Sequence, residues 1–183
     1  MNRFLLLLLI VPIMALTSCI EEEIPDTAPQ TVESVDIEQY IGLWYEIASY
    51  PQFFNIGCNC TTAEYEIKPD GNLRVTNKCK LFAPNGPPNN IIGSAVPVAG
   101  SNNTRLTVGF FGNQMGGDVG NYWIIELADD YSYAVVSDPF RGTWFLLSRT
   151  KTIDESLYEE IVDRAVQDGF IRSRIERTNQ NGC

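Results

Sequence analysis

Five cysteines, one glutamate inside an apolar run and no histidine bound the chemistry open to this chain. Without imidazole there is no Ser-His-Asp or Cys-His relay, and the commonest metal ligand is missing, so hydrolase and zinc-enzyme readings start low. Cys58 and Cys60 have a Cys-x-Cys spacing, with Cys79 and Cys183 further on. The set is either a thiolate metal site or two disulfides in one of three pairings, and the missing histidine together with an exported chain favours disulfides over metal. No cofactor motif is present. Glu46, in Trp44-Tyr45-Glu46-Ile47-Ala48, is the one good acid-base candidate. A buried carboxylate there would need partners.

These residues are positioned by a run of short apolar segments behind a leader. Arg3 opens a positive start, residues 4–16 are apolar but too short to span a bilayer, and Leu16-Thr17-Ser18-Cys19 resembles the bacterial lipobox. The expectation is a signal peptide over 1–18 and a lipid-modified Cys19. Residues 19–34, with Glu21, Glu22, Glu23, Asp26, Glu33, Pro25 and Pro29, read as an acidic, extended tether. The 23 acidic and 13 basic residues give a net charge of −10, which opposes binding to nucleic acid.

From residue 43 the pattern predicts strands at 43–50, 60–68, 72–80, 91–98, 104–111, 121–128, 132–138 and 143–149. Eight strands with alternately short and long connections fit an up-and-down antiparallel barrel with one tight end and one loose rim. Pro51-Gln52-Phe53-Phe54 and Leu81-Phe82 place apolar side chains in the long connections, and Gly112 to Gly120 with Met115 forms a glycine-rich one suited to a gate. Thr152-Ile153-Asp154-Glu155 has capping-box spacing, so a helix is expected to start at an N-cap Thr152 and to end near Gly169. A short added strand is expected from Phe170, Ile171 and Ile175.

Gly42-x-Trp44, the block Tyr122 to Leu127, the block Asp129-Asp130-Tyr131 to Pro139 and the block Trp144 to Thr150 stand in an order that resembles the lipocalin family, in its subgroup of bacterial outer-membrane lipoproteins and apolipoprotein D. The resemblance covers residues 35–183 and implies an all-β, eight-stranded barrel with a C-terminal helix outside it. It further implies that Trp44 plugs the closed end under Arg149, with Gly42, Asp130 and Tyr131 as structural motif residues, and that Cys60 pairs with Cys183. Cys58 is then left to pair with Cys79.

The expected function is reversible binding of a fatty acid, lysophospholipid or similar lipid inside the barrel, at the outer membrane of a bacterium. With Trp44 inward, alternation turns Glu46 and Ala48 inward too, and Tyr65 is inward by its apolar character. Phe53 and Phe54 at the rim, with Val108, Phe110, Trp123, Tyr133, Val135 and Phe145 on later strands, complete the expected ligand-contacting set. An enzyme on this scaffold, using Glu46, is one alternative. A surface protein that binds a macromolecule through its rim loops is the other.

Overall fold

A computed structural model describes residues 24–114 and 117–183, so the leader, Cys19 and Met115 lie outside the described residues. One turn of helix, α1 (Ile37–Tyr40), leads into strands β1 (Gly42–Ser49), β2 (Cys58–Ile67), β3 (Leu73–Leu81), β4 (Pro88–Pro97) and β5 (Arg105–Phe110). A two-residue strand β6 (Asn113–Gln114) precedes β7 (Tyr122–Leu127), β8 (Tyr133–Ser137) and β9 (Trp144–Ser148), and helix α2 (Glu155–Gln167) and β10 (Glu176–Arg177) end the chain. All pairings are antiparallel, each strand neighbours the next, and β9 returns to β1 to close an eight-stranded barrel, with β6 and β10 as additions. The added C-terminal strand is Glu176–Arg177, while Arg172–Arg174 forms a 3₁₀ turn and Phe170 is buried under α2.

Apolar side chains fall into two sets because the barrel wall is covered on both faces. One set, including Trp44, Tyr65, Leu73, Val75, Ala95, Leu106, Ile124, Ala134, Val136 and Leu147, fills the lower interior. The other, including Ile47, Ala48, Val135, Trp144 and Leu146, lies between the outer wall and Tyr158, Ile161, Val162 and Ala165 of α2.

Two bulges decide which residue joins which set. On β1, Glu46 pairs with the inward Leu147, but Ala48 pairs with the outward Leu146. The extra residue turns Ala48 onto the helix and Ser49 back inward, so simple alternation fails for Ala48. On β7, Ile124 pairs with the inward Val136, and after a second bulge Glu126 pairs with the outward Val135.

Helix α2 begins at Asp154, not at Thr152. The Asp154 carboxylate accepts from the backbone N–H groups of Ser156 and Leu157, and its charge suits the helix N-terminus better than a hydroxyl does. At the other end Phe170 N donates to Ala165 O and Gly169 N to Val166 O, the paired bonds of a glycine stop with Gly169 at φ +92°.

The tight end is sealed by distant segments. Trp44, fully buried, donates its indole N–H to Tyr40 O at 2.8 Å, and the Arg149 guanidinium lies 3.7 Å from the centre of its ring. Arg149 also donates to the carbonyls of Leu43, Gln39 and Tyr40. Gly42 has φ +95°, and a Cβ there would meet that guanidinium at 3.5 Å. Tyr131, held after the Asp130 turn, accepts from Asp36 N at 2.9 Å. The whole motif read from the sequence thus converges on one end of the barrel.

Candidate functional site

Above this floor, inward side chains remain in reach of solvent. Ala63, Val108, Phe110, Tyr122 and Phe145 all point into the barrel by register and are only partly buried. The Phe110 ring lies across Gly93 on β4, where a Cβ would sit 2.6 Å from it, so a glycine is required beneath that ring. Tyr65, Tyr122 and Tyr40 form a hydroxyl chain at the boundary with the floor, Tyr65 donating to Tyr122 at 2.9 Å and Tyr122 lying 2.7 Å from Tyr40. Burial pushes these phenols up, Tyr65 to about 12, so the chain stays protonated at neutral pH.

The barrel wall parts twice toward its mouth. Strand β5 pairs with β7 only at Arg105–Trp123 and Leu106–Tyr122. Higher up, the Asn121 side chain replaces a strand by accepting from Val108 N and donating to Val108 O, and β6 covers the upper end of β5. The glycine-rich connection therefore contains a hairpin, not only a loop.

Strand β1 pairs with β2 only from Gly42 to Tyr45. Above that the C-terminal tail fills the gap: Thr178 N donates to Ile47 O, Cys60 N to Asn179 O, and the Gln180 amide to both Glu46 O and Thr61 O. The Cys60–Cys183 disulfide pins this tail, and Cys58–Cys79 ties β2 to β3 beside it. In a chain-entropy account, closing loops of 123 and 21 residues stabilises by about 5 and about 3 kcal/mol.

Glu46 is buried at this parting and accepts from Ser49 Oγ at 3.1 Å and Thr178 Oγ1 at 2.5 Å. Burial raises its pKa above 4.5, and the two hydroxyls oppose that rise. Among the described residues no ion pair reaches this carboxylate, so burial disfavours its charged form with only hydroxyls to offset the cost.

Several expected contacts lie elsewhere. Ala48, Tyr133 and Val135 pack on the outer wall against α2, where Tyr133 donates to Glu126, itself paired with Arg164. Trp123 also faces out, in register with Ser137 opposite the inward Tyr122 and Ile124, with Arg105 stacked on its ring. Trp44 is floor and has no accessible surface. Phe53 and Phe54 stand at the rim with Ile56, Phe82, Phe111 and Phe140, all between 57% and 87% exposed and all on connections at the loose end. The Asp138 carboxylate, by accepting from Phe140 N and Thr143 N, fixes the turn that presents Phe140.

Sequence reasoning passed over Tyr40, Tyr122, Ser49, Asn77, Thr178 and Gln180. Tyr122 was one choice of face away, whereas the tail residues carry no pattern that would place them at the mouth.

The profile of the Lipocalin-like domain family matches residues 35–180. The outer membrane lipoprotein Blc of Vibrio cholerae is 33% identical over 151 residues, covering 80% of this chain and 85% of that one. Mouse apolipoprotein D is 30% identical over 164 residues, covering 85% and 82% respectively. Among solved structures, lobster apocrustacyanin A1 superposes with a TM-score of 0.60 at 18% identity over 87% of this chain and 94% of its own, a likeness of fold.

Proposed function

The chain belongs to the lipocalin-like domain family, and from that premise we propose that it is a non-catalytic carrier that reversibly holds a lipid in the upper barrel. A fatty acid, a lysophospholipid or a similar lipid has the required shape: an aliphatic chain beside Val108, Phe110, Tyr122 and Phe145, ending in a polar head group. The observation that carries this reading is the set of inward apolar side chains left in partial contact with solvent above a sealed floor. Burying an acyl chain there would gain roughly 0.8 kcal/mol per CH₂. The uncharged loops at 50–57 and 82–87, with their exposed Phe53, Phe54 and Phe82, form the apolar entrance. The Glu46 carboxylate is occupied by two hydroxyl donors, Ser49 and Thr178, and serves to tie the tail to β1, which favours binding over turnover.

The lipobox-like Leu16-Thr17-Ser18-Cys19 and the likeness to an outer membrane lipoprotein support the same division of the chain: leader 1–18, tether 19–34 and barrel domain 35–183, anchored at the bacterial outer membrane by lipid on Cys19. Titration of residues 24–183, produced in an oxidising compartment, with an environment-sensitive fluorescent fatty acyl probe tests the carrier reading. Saturable binding at one probe per chain, lost in Val108→Trp with the fold retained, is expected. Unchanged binding in that variant would place the probe outside the barrel.

A further inference from the structure

Where β1 and β2 part, buried acceptors collect without partners. The Gln180 amide nitrogen donates to Glu46 O and Thr61 O at 2.9 and 2.8 Å, which fixes the orientation of that amide. Its Oε1 is therefore a true acceptor, on a side chain only 9% exposed, and it has no partner. Thr61 Oγ1 and Asn77 Oδ1 are buried and unpartnered as well. Asn77 is in register with Ala63, the partner of Trp44, and so lies on the interior wall just above the floor. Thr61 lies in the bulge of β2 between Asn59 and Thr62, and its carbonyl receives the Gln180 amide, which holds the two residues side by side at the parting. The Glu46 carboxyl sits at the same level.

Cations are turned away from this place. Arg74 and Lys78 pair with Glu66 and Glu64 on the outer face of the barrel, Lys80 shares their side of β3, and Arg105 is stacked on the outward Trp123. Among the described residues, no strand lysine or arginine points inside. A ligand carboxylate would thus bring acceptors and negative charge to two amide oxygens beside a glutamate, with only the Thr61 hydroxyl able to donate and no cation to neutralise it. A hydroxyl would supply the missing hydrogen while its alkyl chain ran up past Tyr122 and Phe145.

We propose that Thr61, Asn77 and Gln180, beside Glu46, form a head-group subsite that selects lipids with an uncharged, hydrogen-bond-donating head, such as a fatty alcohol or monoacylglycerol, over free fatty acids. This rests on the carrier reading and narrows its ligand class.

The test uses the full-length chain in membranes of expressing cells. Two photoactivatable C16 probes, alike in chain and differing only in an alcohol or a carboxylate head, are crosslinked in parallel, and labelled peptides are mapped by mass spectrometry. The alcohol is expected to label interior peptides of β2, β7 and β9 at least ten times more than the acid. Thr61→Val and Asn77→Leu, near-isosteric and removing only unpartnered atoms, should bring that ratio down toward one without lowering the melting temperature. Equal or stronger interior labelling by the acid overturns the proposal while leaving the carrier intact. A ratio unchanged in both variants also overturns it, since the acceptors would then merely hold structural water. Interior labelling by neither probe overturns the subsite and the carrier reading together.

Discussion

The two ends of the barrel are built from the same strands and held in opposite ways. At the closed end, Trp44, Tyr40, Arg149, Tyr131 and Asp36 satisfy one another's polar groups directly around a fully buried indole. At the mouth, strand pairs part, and the gaps are filled by pieces from elsewhere: the tail at β1–β2, Asn121 and β6 at β5–β7. The floor has no buried unpartnered side-chain atom among the described residues, whereas three of those found, on Thr61, Asn77 and Gln180, lie above it, along β2 and β3 and on the tail. Stability is concentrated where nothing needs to enter, and the polar and apolar groups left in want of partners lie where a ligand would arrive.

That contrast can be broken most forcefully at the floor. Trp44→Ala should lower unfolding free energy by about 3–5 kcal/mol, because a large cavity opens under Arg149. Denaturant titration checks it, and a loss below about 1 kcal/mol would mean that the floor is not the stabilising end. Cys183→Ser should cost a comparable amount, about 2–5 kcal/mol. It should also speed probe release, as the tail loosens from β1 and β2. Stability loss with unchanged release would make the tail a mere strap.

Glu46 gives a pH-dependent comparison. Its folded pKa is raised above 4.5 by burial, so the destabilising effect of ionising it is absent below 4.5, grows as pH rises through the folded value and is then constant. Glu46→Gln, whose amide oxygen can still accept from Ser49 and Thr178, should therefore be more stable than the native chain at pH 7. The difference should vanish near pH 4. A constant difference across that range would show that Glu46 does not titrate abnormally. The smallest stability effect belongs to the rim: Phe53→Ser with Phe82→Ser should shift unfolding by no more than about 0.5 kcal/mol per site while slowing probe uptake in stopped flow.

How much of this was legible in the sequence depended on whether one face of a strand was polar. On β2 and β3, Glu64, Glu66, Arg74 and Lys78 mark the outer face, and Tyr65 could be turned inward correctly. On β8, Tyr133-Ala134-Val135-Val136 is apolar on both faces because one lines the barrel and the other lies under α2, so composition could not choose between them. Ala48 was misplaced by a bulge, which adds one residue to a strand and leaves no mark in an apolar run. Trp123, expected among the ligand contacts, is turned outward by its register with Ser137. The floor motif was legible because its residues are of rare types in a fixed order. The tail's place at the mouth was not, since Thr178 and Gln180 act across more than 110 positions of sequence.

Native mass spectrometry of residues 24–183, purified without detergent and followed by lipid extraction, tests most directly whether the barrel carries a lipid. The account predicts a reproducible mass increment of one lipid per chain that disappears in Val108→Trp. A chain that is always ligand-free, and that acquires no adduct when incubated with fatty alcohol or fatty acid, would contradict it.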